Sequence, residues 1–190
     1  MNINKAIRKQ KRSFKRFRLS MCFIFFILPI ILYFTKVFST FILVYLSVIE
    51  ILIIAAIIIS LDKGTLKFEY NNKLIIQNGI FRDRFIILPD KVEVVHTINI
   101  GKDLEIIMIL KSRIRNKRIK KIDSKFLKKH VWAEKYYDNL MTLKENREYF
   151  YIIVNKGGYL KYSLLDLIYR YCVSGYFTED AIKSIKEYRN

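Results

Sequence analysis

The sequence predicts a membrane-anchored α+β chain: a two-helix transmembrane hairpin followed by an antiparallel β-sandwich or small barrel that ends in C-terminal helices. Three observations carry this expectation. Two long, nearly uncharged stretches come first, short strand-like segments separated by turn signals follow, and the last part returns to a helical period. The length of 190 residues suits one domain with an appendage. The chain is 52% hydrophobic, yet 35 Lys and Arg outnumber 17 Asp and Glu, for a formal charge of +18. High apolar content and high positive charge coexist because they occupy different parts of the chain. Ile dominates the apolar set and Lys the basic set, as in a low-GC coding sequence, so part of the charge needs no partner to explain it.

Residues 1–18 form a basic cytoplasmic N-terminus with Lys5, Arg8, Lys9, Lys11, Arg12, Lys15, Arg16, Arg18 and no acid. Leu19–Phe34 then runs sixteen residues without a charge. A span needs about 17, and Thr35 extends this one. After Lys36, Val37–Leu61 is interrupted only by Glu50 and exceeds the roughly 20 residues that a bilayer core requires. The hairpin therefore covers 19–61, with crossings at 19–35 and 37–61. A secretory signal also begins basic and turns apolar. However, Tyr33-Phe34-Thr35-Lys36 offers no small-x-small cleavage site, and a second apolar stretch starts at once. Eight basic residues before the first crossing, against Lys36 alone in the turn, assign the N-terminus to the cytoplasm. Residues 62–190 hold 26 Lys and Arg against 16 Asp and Glu and return to that side. The expected location is the inner (plasma) membrane, multi-pass, with both termini cytoplasmic.

Pro29 is expected to kink the first crossing or let it pack closely. Glu50 lies near the middle of the second, where an ionisable group costs about 2.5–3.5 kcal/mol on insertion scales, so it should face protein rather than lipid. It is either a relay or contact with a partner helix, or a protonated carboxyl bonded to the hydroxyl of Ser39, Tyr45 or Ser47.

From residue 62 to 190 the pattern is that of a cytoplasmic domain with a C-terminal helical extension. Thr65–Tyr70 alternates, with Leu66, Phe68 and Tyr70 on one side; Asn71-Asn72 makes a turn, and KLIIQ continues. Asn78-Gly79 is a two-residue hairpin signal of type I′. IFRDRFIIL, a turn at Pro89-Asp90, KVEVVHTI, a break at Gly101-Lys102-Asp103 and LEIIMIL follow, and KSRIRNKRIKKI extends the last strand or pairs back on it. Ser124–Lys144 reads as a helix capped by Ser124, with Phe126, Ala133, Tyr137, Leu140 and Met141 on one face. EYFYIIVN is a strand and Lys156-Gly157-Gly158 its turn. Leu164, Leu165, Ile168, Tyr171 and Cys172 recur at helical spacing. Thr178 caps a last helix with Glu179 and Asp180 at its start and Lys183, Lys186 and Arg189 toward its end, a charge order that suits the helix dipole.

The stretch YNNKLIIQNGIFRDRFIILPDKVEVV resembles the repeat unit of bacterial pleckstrin-homology-like membrane proteins. The matching pieces are Tyr70, Leu74-Ile75-Ile76, Gly79, Arg82, Arg84, Ile87-Leu88-Pro89 and Val92–Val95, and the likeness covers about residues 62–122. The resemblance implies a seven-stranded sandwich closed by a C-terminal helix, often preceded by paired membrane helices. It brings no catalytic residues. Some relatives serve as self-immunity proteins against membrane-active bacteriocins, so a protective role is one implication. This chain departs from the pattern by inserting Ser124–Lys144 before its last strand and adding two helices after it.

No motif for catalysis, metal or cofactor stands out. Cys22 and Cys172 form no C-x-x-C pair and read as apolar fillers; His96 and His130 fit no ligand spacing. Lys156-Gly157-Gly158 lacks the form of a P-loop, and nothing in the sequence brings Cys172, His130 and Asp166 together. The chain is expected to be non-enzymatic, with no cofactor.

The run from Lys111 to Asp123 holds Lys111, Arg113, Arg115, Lys117, Arg118, Lys120 and Lys121 before its only acid. Read as a strand, Lys111, Arg113, Arg115 and Lys117 share a face. Beside an anionic leaflet each such cation is worth about 1 kcal/mol, so lipid headgroups or an acidic protein rank ahead of nucleic acid, for which interleaved aromatics are missing. The alternative is a solvated edge charged against edge-to-edge pairing. The expected function is an interaction or scaffolding module at the inner leaflet, with a membrane-protein partner or a second copy of the chain as further candidates. The other reading is an accessory subunit of a membrane transport or secretion complex that assembles through Glu50.

Overall fold

The two apolar stretches form helices, and the first begins well upstream of its apolar part. The computed structural model describes residues 3–36, 39–81, 84–100, 103–113, 116, 119–134, 136–137 and 148–190. Helix α1 covers Ile3–Thr35 as one element that continues through Pro29. The basic N-terminus is thus the first half of a long helix. Its inward positions, Ile3, Ala6, Ile7, Gln10 and Phe14, recur at helical spacing among exposed cations.

Lys36 turns the chain with a left-handed φ of 53°. Ser39 caps the next helix by accepting the Ile42 amide at 3.4 Å, and α2 runs Thr40–Gly64. Both helices are long and apolar enough to cross a membrane. Less exposed positions on α1 (Met21, Phe25, Leu28, Leu32) and α2 (Ile42, Leu46, Ile49, Ile53, Ala56, Ser60) alternate three and four apart. That is the seam pattern of helices packed lengthwise.

The strands make two sheets. Strands β1 (Leu66–Tyr70), β2 (Leu74–Asn78) and β3 (Phe85–Ile87) form an antiparallel sheet in that order. The second sheet contains β4 (Val92–Ile100), β5 (Asp103–Leu110), β6 (Lys120–Lys121), β7 (Phe150–Val154) and β8 (Tyr176–Phe177), in the order β6-β7-β5-β4-β8. Only the β4–β8 pairing is parallel. Helices α3 (Ser124–Lys129), α4 (Leu160–Tyr171) and α5 (Glu179–Arg189) join them, with a 3-10 turn at Pro89–Lys91 and a helical turn at 131–134. The layout is α+β as expected, but the described strands do not close into a barrel.

The two sheets share one core. Leu74, Ile76, Phe85 and Ile87 of the first meet Ile106, Met108, Ile152 and Val154 of the second, together with Leu164, Leu165 and Ile168 of α4. The opposite face of the second sheet carries Val94, Ile107 and Ile109 beneath Phe126, Ala133 and Tyr149. Strand β5 is covered on both faces, which explains why LEIIMIL is an unbroken apolar run rather than an alternation.

Several local expectations change. Asn78-Gly79 is not a two-residue turn: the last paired residues are Ile76 and Phe85, and of the two only Gly79 has a positive φ, 103°. The described residues of the basic run do not extend β5, which ends at Leu110, and do not pair back on it, because β4 and β7 already occupy both edges of that strand. The chain bends at Lys111 and Ser112, and among the described residues of the run a strand returns at Lys120–Lys121, against Phe150 and Tyr151. The cap of α3 is Asp123, whose carboxylate accepts the Phe126 amide at 2.8 Å, rather than Ser124. The helical stretch breaks at His130, where φ is −126° and ψ 73°. Leu140 and Met141 lie outside the described residues. Thr178 caps α5 as expected, accepting the Ala181 amide at 3.4 Å. Tyr171 leaves the expected buried face and stacks on Tyr70 at 3.6 Å.

Candidate functional site

Where α2 leaves its apolar run, four consecutive residues, Asp62-Lys63-Gly64-Thr65, hold the domain. The Asp62 carboxylate accepts the Ile80 amide at 3.1 Å through Oδ1 and pairs with the Lys156 ammonium through Oδ2. The Lys63 carbonyl accepts the Gly157 amide, and the Thr65 carbonyl the Gly79 amide, each at 2.9 Å. Asn78 ties the end of β2 to the end of β7. Its Nδ2 donates to the Ile153 carbonyl at 3.4 Å, and its Oδ1 accepts the Lys156 amide at 2.9 Å.

Helix α1 grips the same loop from the other side. Gln10 Nε2 donates to the Gly157 carbonyl at 3.0 Å, while its Oε1 accepts the Tyr159 amide at 2.8 Å. Glycine is required here. At Gly157 φ is 96° and a Cβ would lie 2.4 Å from Leu66 Cβ; at Gly158 φ is 53° and a Cβ would lie 2.5 Å from Gln10 Oε1. Phe14 closes over Gly64, whose added Cβ would sit 3.2 Å from the ring. Residues 155–159 are therefore stapled to both long helices. Each such hydrogen bond is worth about 1 kcal/mol net.

A cleft of about 650 Å³ opens beside this loop, between Gln10 and Phe14 of α1, Lys63, Asp103 at the start of β5, Lys156 and Tyr159. It adjoins a groove of about 570 Å³ along α1, bordered by Lys5, Ala6, Lys9 and Ser13. Among the described residues Asp103 is the only acid lining either space. It is 2.8 Å from the ammonium of Lys161, a fully buried side chain that also donates to the Asn155 carbonyl at 3.1 Å. Among the described residues no acid pairs with Lys9 or Lys63. The amides that open α4 are engaged: Tyr159 by Gln10, Leu160 by the Gly157 carbonyl and Lys161 by the Gly158 carbonyl. An anion in the cleft would thus meet lysine ammonium groups rather than backbone N–H groups.

The residues singled out from the sequence lie elsewhere. Lys111 is 3.0 Å from Glu93, and Lys121 is 2.6 Å from Glu148 on an open surface. The hydrogen bond that its ammonium donates to Glu148 raises the Lys121 pKa. Arg113 and Lys120 are exposed; Arg115, Lys117 and Arg118 lie outside the described residues. Asp103, at one end of β5, faces the cleft, whereas Lys111 follows the other end, roughly 23 Å of strand away. The basic run and the junction are separate surfaces.

Glu50 is half-buried beside Ile49, on the flank of the α1–α2 seam. Two of the hydroxyls considered for it are engaged with backbone: Ser39 accepts from the Ile42 amide, and Ser47 donates to the Leu43 carbonyl at 2.9 Å. Counting equally up both helices from the Phe14–Gly64 contact puts Glu50 level with Leu28 and Pro29.

The remaining titratable groups are dispersed. His96 Nδ1 is 2.9 Å from Thr178 Oγ1 and its ring stacks on Trp132; burial pushes its pKa down to about 4. His130 packs on Phe126, on the face of the second sheet away from Cys172, and burial lowers its pKa too. Burial raises the Cys172 thiol to about 11, and Asp166 is held by Arg170 and Arg189. Cys22 is exposed on α1.

Sequence reasoning missed Gln10, Asp62, Asn78 and the two-sided grip on Gly157-Gly158. One signal was present: Ile3, Ala6, Ile7, Gln10 and Phe14 form a helical stripe within the basic tract. Comparison of the chain with family models, curated proteins and solved structures finds no match.

Proposed function

We propose that this chain is a membrane-spanning protein whose cytoplasmic, pleckstrin-homology-like domain is a non-enzymatic interaction module at an anionic leaflet, with the junction cleft receiving a phosphate-bearing headgroup. The observation that carries the reading is where the cleft lies: its lysines stand at the foot of two apolar helices, and side chains from both helices hold the domain there. Lys63 follows Leu61, the last apolar residue before Asp62, by two positions, about 3 Å of helix. That is well inside the Debye length of about 8–10 Å, over which each lysine near an anionic surface gains about 1 kcal/mol. The shared core of two sheets, with α4 packed into it, supports the pleckstrin-homology-like layout. The accessory-subunit reading ranks second, since Glu50 sits beside the seam and offers less to a partner helix than an outward carboxylate would.

The test uses the full chain in lipid nanodiscs and reads amide exchange in residues 155–159. Anionic lipid should slow exchange relative to zwitterionic lipid, and salt should weaken the effect. Lys9→Gln with Lys63→Gln should abolish the lipid dependence, whereas Arg113→Gln with Lys120→Gln should leave it. Equal exchange in both lipids, or a dependence that follows the Arg113 pair, removes the cleft from the function.

A further inference from the structure

Phe81 lies in the loop between β2 and β3 with 76% of its surface exposed. A single exposed apolar residue is ordinary, and Val173 is more exposed still, at 85%. What separates Phe81 is its tether. The preceding amide, of Ile80, donates to Asp62 at 3.1 Å, and the carbonyl of Ile80 accepts from Gln77 Nε2 at 3.5 Å. The Gly79 amide is fixed on the Thr65 carbonyl at 2.9 Å. Two consecutive residues of the loop, Gly79 and Ile80, are thus bonded to the foot of α2, and Phe81 follows them directly. Val173, by contrast, follows Cys172 near Gly175, whose surroundings are Val92 at the far end of the second sheet.

Asp62 follows the last apolar residue of α2. If α2 spans a bilayer, Asp62 stands at the boundary of the hydrocarbon core, where the polar interfacial layer is about 5–7 Å thick on each side. The Ile80 amide is one hydrogen bond from that carboxylate, and the Phe81 Cα is about 3.8 Å further along the chain. The tether therefore leaves the ring within reach of the interfacial layer. Burying such a side chain gains about 1.5–3 kcal/mol, and interfacial aromatics are a recurrent membrane anchor. The sequence continues Arg82-Asp83-Arg84, and Arg84 is exposed, so a cation capable of meeting phosphate lies close by.

We infer that the Ile80–Phe81 tip inserts into the interfacial layer of the bilayer as a third membrane contact, beside the two spanning helices that hold the domain. This inference rests on the reading of α1 and α2 as membrane spans. It does not depend on the lysine cleft.

The experiment places tryptophan in the full chain, reconstituted in nanodiscs that contain lipids with a quencher either near the headgroup or deep in the acyl chain. Emission beyond that of the native Trp132 is read for Phe81→Trp, for Phe26→Trp on the exposed face of α1 and for Val173→Trp. The expected result is a blue-shifted Phe81→Trp increment quenched most by the shallow quencher, a Phe26→Trp increment quenched most by the deep one, and a Val173→Trp increment unaffected. If Phe26→Trp is quenched and Phe81→Trp is not, the anchor is overturned while the spanning reading stands. Equal quenching at Phe81 and Val173 also overturns it, because the domain then lies on the membrane without a specific tip. Failure to quench Phe26→Trp overturns the spanning reading and the anchor together.

Discussion

Two cationic regions of this protein differ in what their cations meet. In the run from Lys111 to Lys121, Lys111 and Lys121 each lie against a carboxylate, and Arg113 and Lys120 stand on an open surface. At the junction, Lys9 and Lys63 border concave spaces whose single acid is already facing the buried Lys161. The run has the higher density of charge along the chain; the junction has the geometry. An exposed ion pair contributes little, whereas cations that border adjoining concave spaces add to one local potential. Charge counted along a sequence therefore marks a region's solubility more directly than its binding.

The sharpest way to test this contrast is to damage the staple. Gly157→Ala sets a Cβ against Leu66 at a φ of 96° and should cost about 3 kcal/mol or more, read as a fall in thermal midpoint of the detergent-solubilised chain. Gly158→Ala meets the Gln10 amide, which can swing aside only by giving up its two bonds to the loop, and should cost about 2 kcal/mol. A result in which both changes are neutral would mean that the loop is not under the constraint described.

Acid should separate the second sheet from the junction. The folded His96 has its pKa depressed to about 4, below the free value of 6.5, so the unfolded chain binds the extra proton between those values. Stability is fully present above pH 6.5 and falls as the pH drops toward 4, by up to about 3 kcal/mol. Besides Thr178 and Trp132, the groups facing His96 are Asp180 and His130. Exchange in residues 131–134, the turn that carries Trp132, should therefore accelerate with acid before exchange in residues 155–159 does. His96→Gln should flatten that slope, and an unchanged slope would assign the acid response elsewhere.

A smaller effect is expected at Asp62→Asn, which keeps an acceptor for the Ile80 amide but weakens the partly buried pair with Lys156. A loss of about 1–2 kcal/mol is expected, with faster exchange at Ile80. The least effect belongs to the run: Lys121→Gln removes a fully open pair with Glu148 and should leave the thermal midpoint where it was. A marked drop there would reverse the comparison.

The same two regions show what could be read in advance. The run was conspicuous in the sequence, yet its strand did not form at the described positions, because the edges of β5 are taken by β4 and β7. Which strands are neighbours is a non-local fact that periodicity does not carry. Gly157-Gly158 was legible as a turn, but its need for glycine comes from Leu66 and Gln10, 91 and 148 positions away in the chain. Asn78-Gly79 carried a strong local turn signal, and the tertiary bonds of Asn78 to β7 kept it extended.

By itself, the sequence determined the apolar helix pair, the sites of most turns, the α+β order and the cap at Thr178, since each depends on residues within one or two turns of chain. It also held the stripe from Ile3 to Phe14 that makes the basic tract an amphipathic helix. Only the tertiary structure decided that this stripe would grip the loop after β7, that the two sheets would share a core without the described strands closing into a barrel, and that Lys9 and Lys63 would border adjoining concave spaces. Those outcomes depend on hydrogen bonds and packing between residues far apart in the chain, such as Gln10 with Gly157 and Asp62 with Lys156. Such contacts exist only once the domain has closed against both helices.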